Sequence, residues 1–186
     1  QINDRKDQDT TLGVMIDITT SYIKRKKIEI ERDVDELTQI YNRNGLKIKI
    51  NKLLEDKNIA QYALIFIDLD DLKQVNDVYG HYCGDLYLKQ MTNVLKTISG
   101  EKCLVGRLGG DEFIVVIDDF KDRQEIINMA KRINDSIHLT YVVNQEKHTL
   151  SCSIGIACSD DINNSFKRLY RQADENLYNM KKRVKI

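Results

Sequence analysis

Along the chain of 186 residues the spacing of apolar positions switches repeatedly between two periods, and each switch marks an element. Residues 11–19 read as a short strand without a partner nearby, after a polar stretch over 3–10. From residue 20 the pattern changes. Ile23, Ile30 and Leu37 recur every seven positions, Val34 follows Ile30 by four, and Lys27 interrupts the stripe. Dense charge around that seam predicts a linker helix over 20–37, which either pairs with its copy in a dimer or lies on the domain as an ordinary amphipathic helix. A polar turn at 38–45 leads into a helix over 46–56. The unbroken apolar run at 62–67 has strand length and predicts a central strand buried on both faces. Helical spacing returns at 71–78 and 84–98, where Leu86, Met91, Val94, Leu95 and Ile98 make one face. Two β-rich runs, 103–105 and 112–117, flank a glycine-bearing connection and read as a hairpin. A helix over 121–137 turns Ile126, Ile127, Met129, Ala130 and Ile133 inward. Strands over 139–143 and 149–157 bracket a polar link at 144–147, and a last helix covers 166–183. Strand, helices, hairpin, helix, strand pair, helix: this order predicts an α+β sandwich of ferredoxin type rather than a doubly wound sheet.

Composition removes several function classes. Hydrophobic residues at 41% and charged residues at 31% supply a core and argue against disorder. Lys plus Arg and Asp plus Glu number 29 each, so nothing holds the chain to nucleic acid by bulk charge. No apolar run approaches the ~20 residues that span a bilayer. Cys83, Cys103, Cys152 and Cys158 form no metal-type spacing and read as small buried hydrophobes, which points to a reducing, cytoplasmic setting. Proline is absent, which permits uninterrupted helices. The chain opens on Gln1 with residues that match neither a signal peptide nor a complete fold, so a piece of a longer protein is expected.

Candidate chemistry gathers in three places. Asp68, Asp70 and Asp71 crowd the end of the apolar strand, and period two puts Asp68 and Asp70 on one face. Such carboxylates either share a divalent cation or serve as a solvated cap, with Asp70 or Asp71 opening the next helix. Gly109 and Gly110 allow a sharp turn and close approach of a bulky ligand, and Asp111 and Glu112 follow at the edge of the next strand. Neighbouring strands would bring the two acidic groups within ~5 Å of each other, a plausible Mg²⁺-phosphate arrangement. The third place runs from Lys73 through Asn76, Asp77, Gly80 and His81 to Asp85. Asn and Asp suit a guanine edge and Lys73 a phosphate, while the bland reading has Asp77 and Asp85 capping helices, Gly80 ending one, and His81 as a structural hydrogen-bonder.

These segments together resemble the GGDEF family of diguanylate cyclases, whose naming motif stands intact at residues 109–113. Asp35, Leu37, Thr38, Asn42 and Arg43 are similar to the family's opening motif, with Gln39 in place of its usual Gly. Asp68, Asp70, Lys73, Asn76, Asp77, Gly80, His81, Gly84 and Asp85 follow the nucleotide segment at the right spacing. Arg107 before the signature, Ser153-Ile154-Gly155-Ile156-Ala157, and Ala173-Asp174 with Leu177, Tyr178 and Lys181 complete it.

The resemblance implies a polymerase-palm-like α+β domain, a central sheet flanked by helices, over residues 35–186. It implies catalytic Asp68, Asp111 and Glu112. These would hold Mg²⁺, or Mn²⁺ in its place, with the backbone carbonyl of Leu69 assisting. Asn76 and Asp85 would grip guanine, and Lys73, Lys181, Lys185 and the Gly109-Gly110 turn would face the triphosphate. The implied reaction joins two GTP into cyclic di-GMP with release of pyrophosphate, across a homodimer of two such domains. Residues 13–19 look like the closing strand of a PAS sensor domain. Residues 1–19 are then a remnant of an upstream domain, 20–37 a signalling linker, and the parent protein a sensor that could be membrane-attached.

Two departures stand out. The family's R-x-x-D product-inhibition window here reads Gly100-Glu101-Lys102-Cys103, so weak or no product inhibition is expected. Lys185 replaces a phosphate-contacting Arg and cannot reproduce its bidentate contact, although Arg183 is close by. Two other readings remain compatible with the residues: a GTP-binding regulatory module without turnover, and a cyclase with a mixed purine product. The intact signature disfavours the first and Lys185 favours it. Asp85 disfavours the second, because adenine offers a carboxylate the wrong donor pattern.

Overall fold

The computed structural model describes residues 32–55, 61–100, 103–118, 120–137, 140–143, 146–149, 151–159 and 166–184. The strand expected over 11–19, most of the expected linker helix, and Lys185 lie outside the described residues.

The continuous apolar run forms β1 (Ala63–Leu69), and its burial on both faces follows from its place in the middle of the sheet. β1 pairs antiparallel with β3 (Glu112–Ile117) on one side and β6 (Cys152–Cys158) on the other. β2 (Leu104–Gly109) adds to β3 as the expected hairpin, and the sheet order is β2-β3-β1-β6. That order, with all neighbours antiparallel, is the ferredoxin-type arrangement the element sequence predicts.

Alternation along β1 then sorts the helices. Ile65, Ile67 and Leu69 face α2 (Leu72–Tyr79), α3 (His81–Ser99) and α4 (Arg123–Ile137), where Val75, Met91, Leu95, Ile126 and Ile133 complete one core. Leu64 and Phe66 face α1 (Arg43–Glu55) and α5 (Phe166–Val184), packing with Leu46, Ile50, Leu169 and Leu177. Asp68 continues this second series, so its carboxylate points toward α5 rather than into the core under α3.

Four expectations change. The helix expected through Leu37 ends early, since Val34 already forms a bridge with Tyr41 and residues 36–38 make a turn. The cause is Asp35, whose Oδ1 accepts from the Thr38 N–H at 2.9 Å and the Thr38 hydroxyl at 2.6 Å, a side-chain substitute for the next helical bond. Helix α1 starts three residues sooner than expected because Asn42 Oδ1 accepts from the Gly45 N–H at 3.0 Å and caps it. The strands expected over 139–143 and 149–157 do not pair with each other. β4 (Thr140–Val143) and β5 (Glu146–Thr149) form a separate two-stranded ribbon, and β6 joins the main sheet after Ser151 bonds to Asp70. Leu86, expected inward, is 44% exposed. Tyr87 and Leu88 take the buried phase of α3, with Val94 and Ile98 half-buried beside them, as are Ile127 and Met129 on α4.

Gln39 sits at φ 55°, the left-handed region where a side chain is strained. This is where the family pattern has Gly. Gln39→Gly is expected to raise unfolding stability by about 0.5–1 kcal/mol, checked by urea denaturation.

Candidate active site

At the end of the central strand the register puts Asp68 directly opposite Glu112. The Leu69 N–H donates to the Asp111 carbonyl at 3.0 Å, so the ladder reaches one step into the hairpin turn and fixes Asp111 beside β1. Two acidic groups from separate strands are thus neighbours, as the sequence predicts.

The turn has its own support. Gly109 at φ 145° and Gly110 at φ 52° occupy backbone conformations that side chains disfavour, and a bulge between Arg107 and Gly109 lets the strand shift there. Arg107 clamps the result. Its Nε and Nη2 donate to the Gly110 carbonyl at 3.0 and 2.7 Å, while Nη1 reaches Asp35 Oδ1 and Oδ2 at 3.2 and 3.3 Å. Burial pushes the Asp35 carboxyl up, but the Thr38 bonds and the Arg107 guanidinium outweigh it and hold it below its ordinary value. Arg43 approaches the other flank, with Nε donating to the Leu108 carbonyl at 3.1 Å and Nη2 3.9 Å from Glu112 Oε2.

Cation demand is visible in the charges. Burial pushes the Asp68 carboxyl up, and the Asp111 and Asp70 charges add to this against the opposing pull of Lys181. Glu112 is raised likewise, by burial first and then by Asp68. Lys181 on α5 answers part of this, with Nζ 2.6 Å from Asp68 Oδ1. A cavity of about 360 Å³ opens at this point, lined by Asp68, Leu69, Asp111 and Lys181, with Asp70 and Ser151 on its wall. Among the described residues no three His, Cys, Asp or Glu side chains already converge as a cation cage. The donor set is nonetheless hard oxygen throughout, which suits Mg²⁺: Asp68, Asp111, Glu112 and the Leu69 carbonyl.

The remaining expected residues sit apart from that cavity's lining. Lys73 is exposed on the first turn of α2, and Asp85 is half-buried near the start of α3. Asn76 lies against Gly84, where any Cβ would strike its amide oxygen, so the glycine makes room for that side chain. Gly80 ends α2, its N–H donating to the Asn76 carbonyl at 2.9 Å. The alternative reading, in which Asp70 or Asp71 caps that helix with its side chain, is not what forms. Asp71 sits at φ 58° without a side-chain cap bond, and the Asp70 carboxylate accepts from the Ser151 and Ser153 hydroxyls at 2.8 and 2.9 Å. Residues that sequence reasoning gave no role are Arg107, Tyr87 and Ser151. Only Arg107 carried a readable signal, a planar donor fork two positions before a strained glycine pair.

Comparison with known proteins agrees with this architecture. A family model described as "Diguanylate cyclase, GGDEF domain" matches residues 32–185. A probable diguanylate cyclase of Escherichia coli, DgcF, is 33% identical over 162 residues, covering 84% of this chain and 34% of that protein. A cyclic di-GMP phosphodiesterase of Escherichia coli, PdeR, is 28% identical over 165 residues, covering 89% of this chain and 25% of that protein. The chain therefore spans between a quarter and about a third of the length of these two relatives. Among solved structures, the isolated GGDEF domain of Pseudomonas aeruginosa YfiN (TpbB) superposes with a TM-score of 0.74 at 30% identity, covering 81% of this chain and 89% of that one. A glycine turn held by its own arginine, set between strands that pair Asp68 with Glu112, thus lies inside a match that takes in most of the sequence, and the chain belongs to the GGDEF family of diguanylate cyclase domains.

Proposed function

We propose that this domain is an active diguanylate cyclase, condensing two GTP into cyclic di-GMP and two pyrophosphates across a pair of domains. The observation that supports it most is the register of Asp68 against Glu112 beside an intact, Arg107-clamped turn. In this reading each domain holds one GTP, and the 3′-hydroxyl of each attacks the α-phosphate of the other. A phosphorus–oxygen bond forms, pyrophosphate leaves, and the hydroxyl proton passes to Asp111 or to solvent. Asn76 and Asp85 hold guanine, the carboxylate accepting from N1–H and the exocyclic amine. Lys73, Lys181 and the bare backbone of Gly109 and Gly110 meet the phosphates. Asp68, Asp111 and Glu112, with the Leu69 carbonyl, would hold Mg²⁺, which supplies charge neutralisation at the phosphates and a more acidic hydroxyl. Catalysis by these residues is mainly positioning and electrostatics.

A second reading, a GTP-binding regulatory module without turnover, is favoured by one observation: Asp68 is already engaged by Lys181. Incubation with GTP and Mg²⁺, with an ATP control, separates the readings by chromatography. Cyclic di-GMP supports the cyclase, GTP binding without product supports the module, and a mixed product would reassign the base pocket. Run with a dimerising helix fused in front, the same assay tests whether pairing limits the rate. Residues 1–19 and 20–37 are read as the end of an upstream domain and its linker. Among the described residues no helix is long and apolar enough to cross a membrane.

Two further outcomes follow from the geometry. Gly84→Ala is expected to weaken GTP binding about tenfold, since the new methyl displaces the Asn76 amide and costs roughly one charge-free hydrogen-bonded contact; a nucleotide titration checks it. Product is expected to inhibit weakly. The 510 Å³ groove beside Gly100 and Cys103 is lined by Ile40, Tyr41, Val105 and Lys96 among others, with no carboxylate among the described lining residues. Strong inhibition in a cyclic di-GMP titration would contradict this.

A further inference from the structure

Two residues after Asp85 on α3 stands Tyr87, 3% exposed, its ring in the core and its hydroxyl at the end of the sheet. That hydroxyl donates to the Ser151 carbonyl at 2.7 Å, lies 3.2 Å from the Asp70 carbonyl, and accepts from the Ser151 N–H at 3.2 Å. Asp70 meets the same residue from the other side. Its N–H donates to the Ser151 carbonyl at 3.0 Å, and its carboxylate takes the Ser151 and Ser153 hydroxyls. One helix hydroxyl is therefore built into the junction where β1 ends and β6 begins. Asp68 and Leu69 immediately precede that junction, and Ser153 is the cross-strand partner of Asp68. Core filling alone does not call for it, because Phe would occupy the same volume. Apolar packing lets a helix shift along a sheet, whereas directional bonds to fixed backbone groups do not.

We propose that Tyr87 is a positioning residue: its hydroxyl locks α3, with Asp85, in register with the carboxylate end of β1, so that base-holding and cation-holding halves of the site stay at one separation. The proposal rests on the cyclase reading of Asp85 and Asp68. A GTP molecule has a fixed length between base and phosphates, so a displacement of about 1 Å between the two halves lets it satisfy one half fully and the other poorly. With the hydroxyl removed, contacts to the base travel with α3 and survive. What suffers is the advantage gained when both halves are engaged at once.

The test uses 3′-deoxy-GTP, which lacks the attacking hydroxyl and so reports binding without turnover. Calorimetric titrations compare the unaltered chain, Tyr87→Phe and Ser151→Ala, each in Mg²⁺ and in EDTA. The unaltered chain is expected to bind more tightly in Mg²⁺. Tyr87→Phe should lose about fivefold of that gain, the factor one net hydrogen bond represents, with affinity in EDTA unchanged. A tyrosine of purely structural importance would alter both conditions alike or neither. Equal Mg²⁺ gains in the unaltered chain and in Tyr87→Phe overturn the proposal and leave the cyclase reading standing. No Mg²⁺ gain in the unaltered chain removes the cation site itself, and the proposal with it. Ser151→Ala leaves both main-chain partners of the Tyr87 hydroxyl in place and is the control, expected to keep the Mg²⁺ gain; an equal loss in it would place the effect in Asp70 and overturn the proposal. Should Tyr87→Phe fail to melt cooperatively, exchange of the Ser151 amide in the unaltered chain decides: slowing by 3′-deoxy-GTP in Mg²⁺ but not in EDTA supports the proposal, and no difference overturns it.

Discussion

Glu112→Gln is expected to lower cyclic di-GMP formation by about three orders of magnitude, because a neutral amide cannot supply its share of a site whose charge neutralisation contributes several kcal/mol. The same variant should melt no lower than the parent in EDTA. Glu112 is opposed in its charged form by burial and by Asp68, so the folded chain gains from its neutral replacement. The two measurements together discriminate the roles. A drop in product with an unchanged melt places Glu112 in the chemistry, and a rise in melting temperature with Mg²⁺ seen for the parent but not the variant would tie it to the cation. Normal product from the purified variant sinks that role.

Arg107→Ala is expected to act on both fold and rate. Removing the guanidinium releases the Gly110 carbonyl and leaves Asp35 without its partner. The pair still touches solvent, so the loss is about 1–2 kcal/mol, a fall of roughly 3–8 °C in melting temperature. Turnover should fall about 100-fold, the penalty for a turn misplaced by an ångström. Arg107→Lys recovers charge but not the fork, and should restore the melt better than the rate. Acid sensitivity follows a definite sign. The Asp35 carboxyl is held below its ordinary value in the folded chain, so its contribution is present at neutral pH. It is lost as pH falls from the ordinary carboxylate value toward the depressed one. The gap between the melts of the parent and of Arg107→Ala should therefore be constant above about pH 4 and narrow below it without closing, because the bonds to the Gly110 carbonyl do not titrate.

The central strand, the hairpin and the five helices among the described residues were legible because each buries a continuous run or a clean stripe, and burial is what apolar spacing records. The pairing of Asp68 with Glu112 was legible for a related reason: both stand where an apolar run stops, and antiparallel neighbours stop together. What escaped the spacing was set by single polar side chains. Asp35 broke a helix that Ile23, Ile30 and Leu37 suggest should continue, and Asn42 began another early. Leu86 was misplaced because the phase of α3 is chosen by Tyr87, whose anchor lies some sixty residues away in sequence at Ser151. Strand β5 falls largely on residues that read as a polar link, and period two does not reveal which partner the 140–143 strand will take. The reach of Lys181 to Asp68 is not legible either, since nothing in the sequence measures the distance from α5 to β1.

The Arg107 fork joins two places that are 75 residues apart in the chain, Asp35 just inside the incoming segment and Gly110 at the tip of the signature hairpin. Val34 and Tyr41 bridge to each other, and Tyr41 bridges again to Gly106 on the outer strand, so the segment is stitched along the sheet rather than tethered at one point. Torque applied at residue 32 therefore has a stiff route to the glycine pair. A strain entering through the segment around Asp35 would reach the turn through that one side chain.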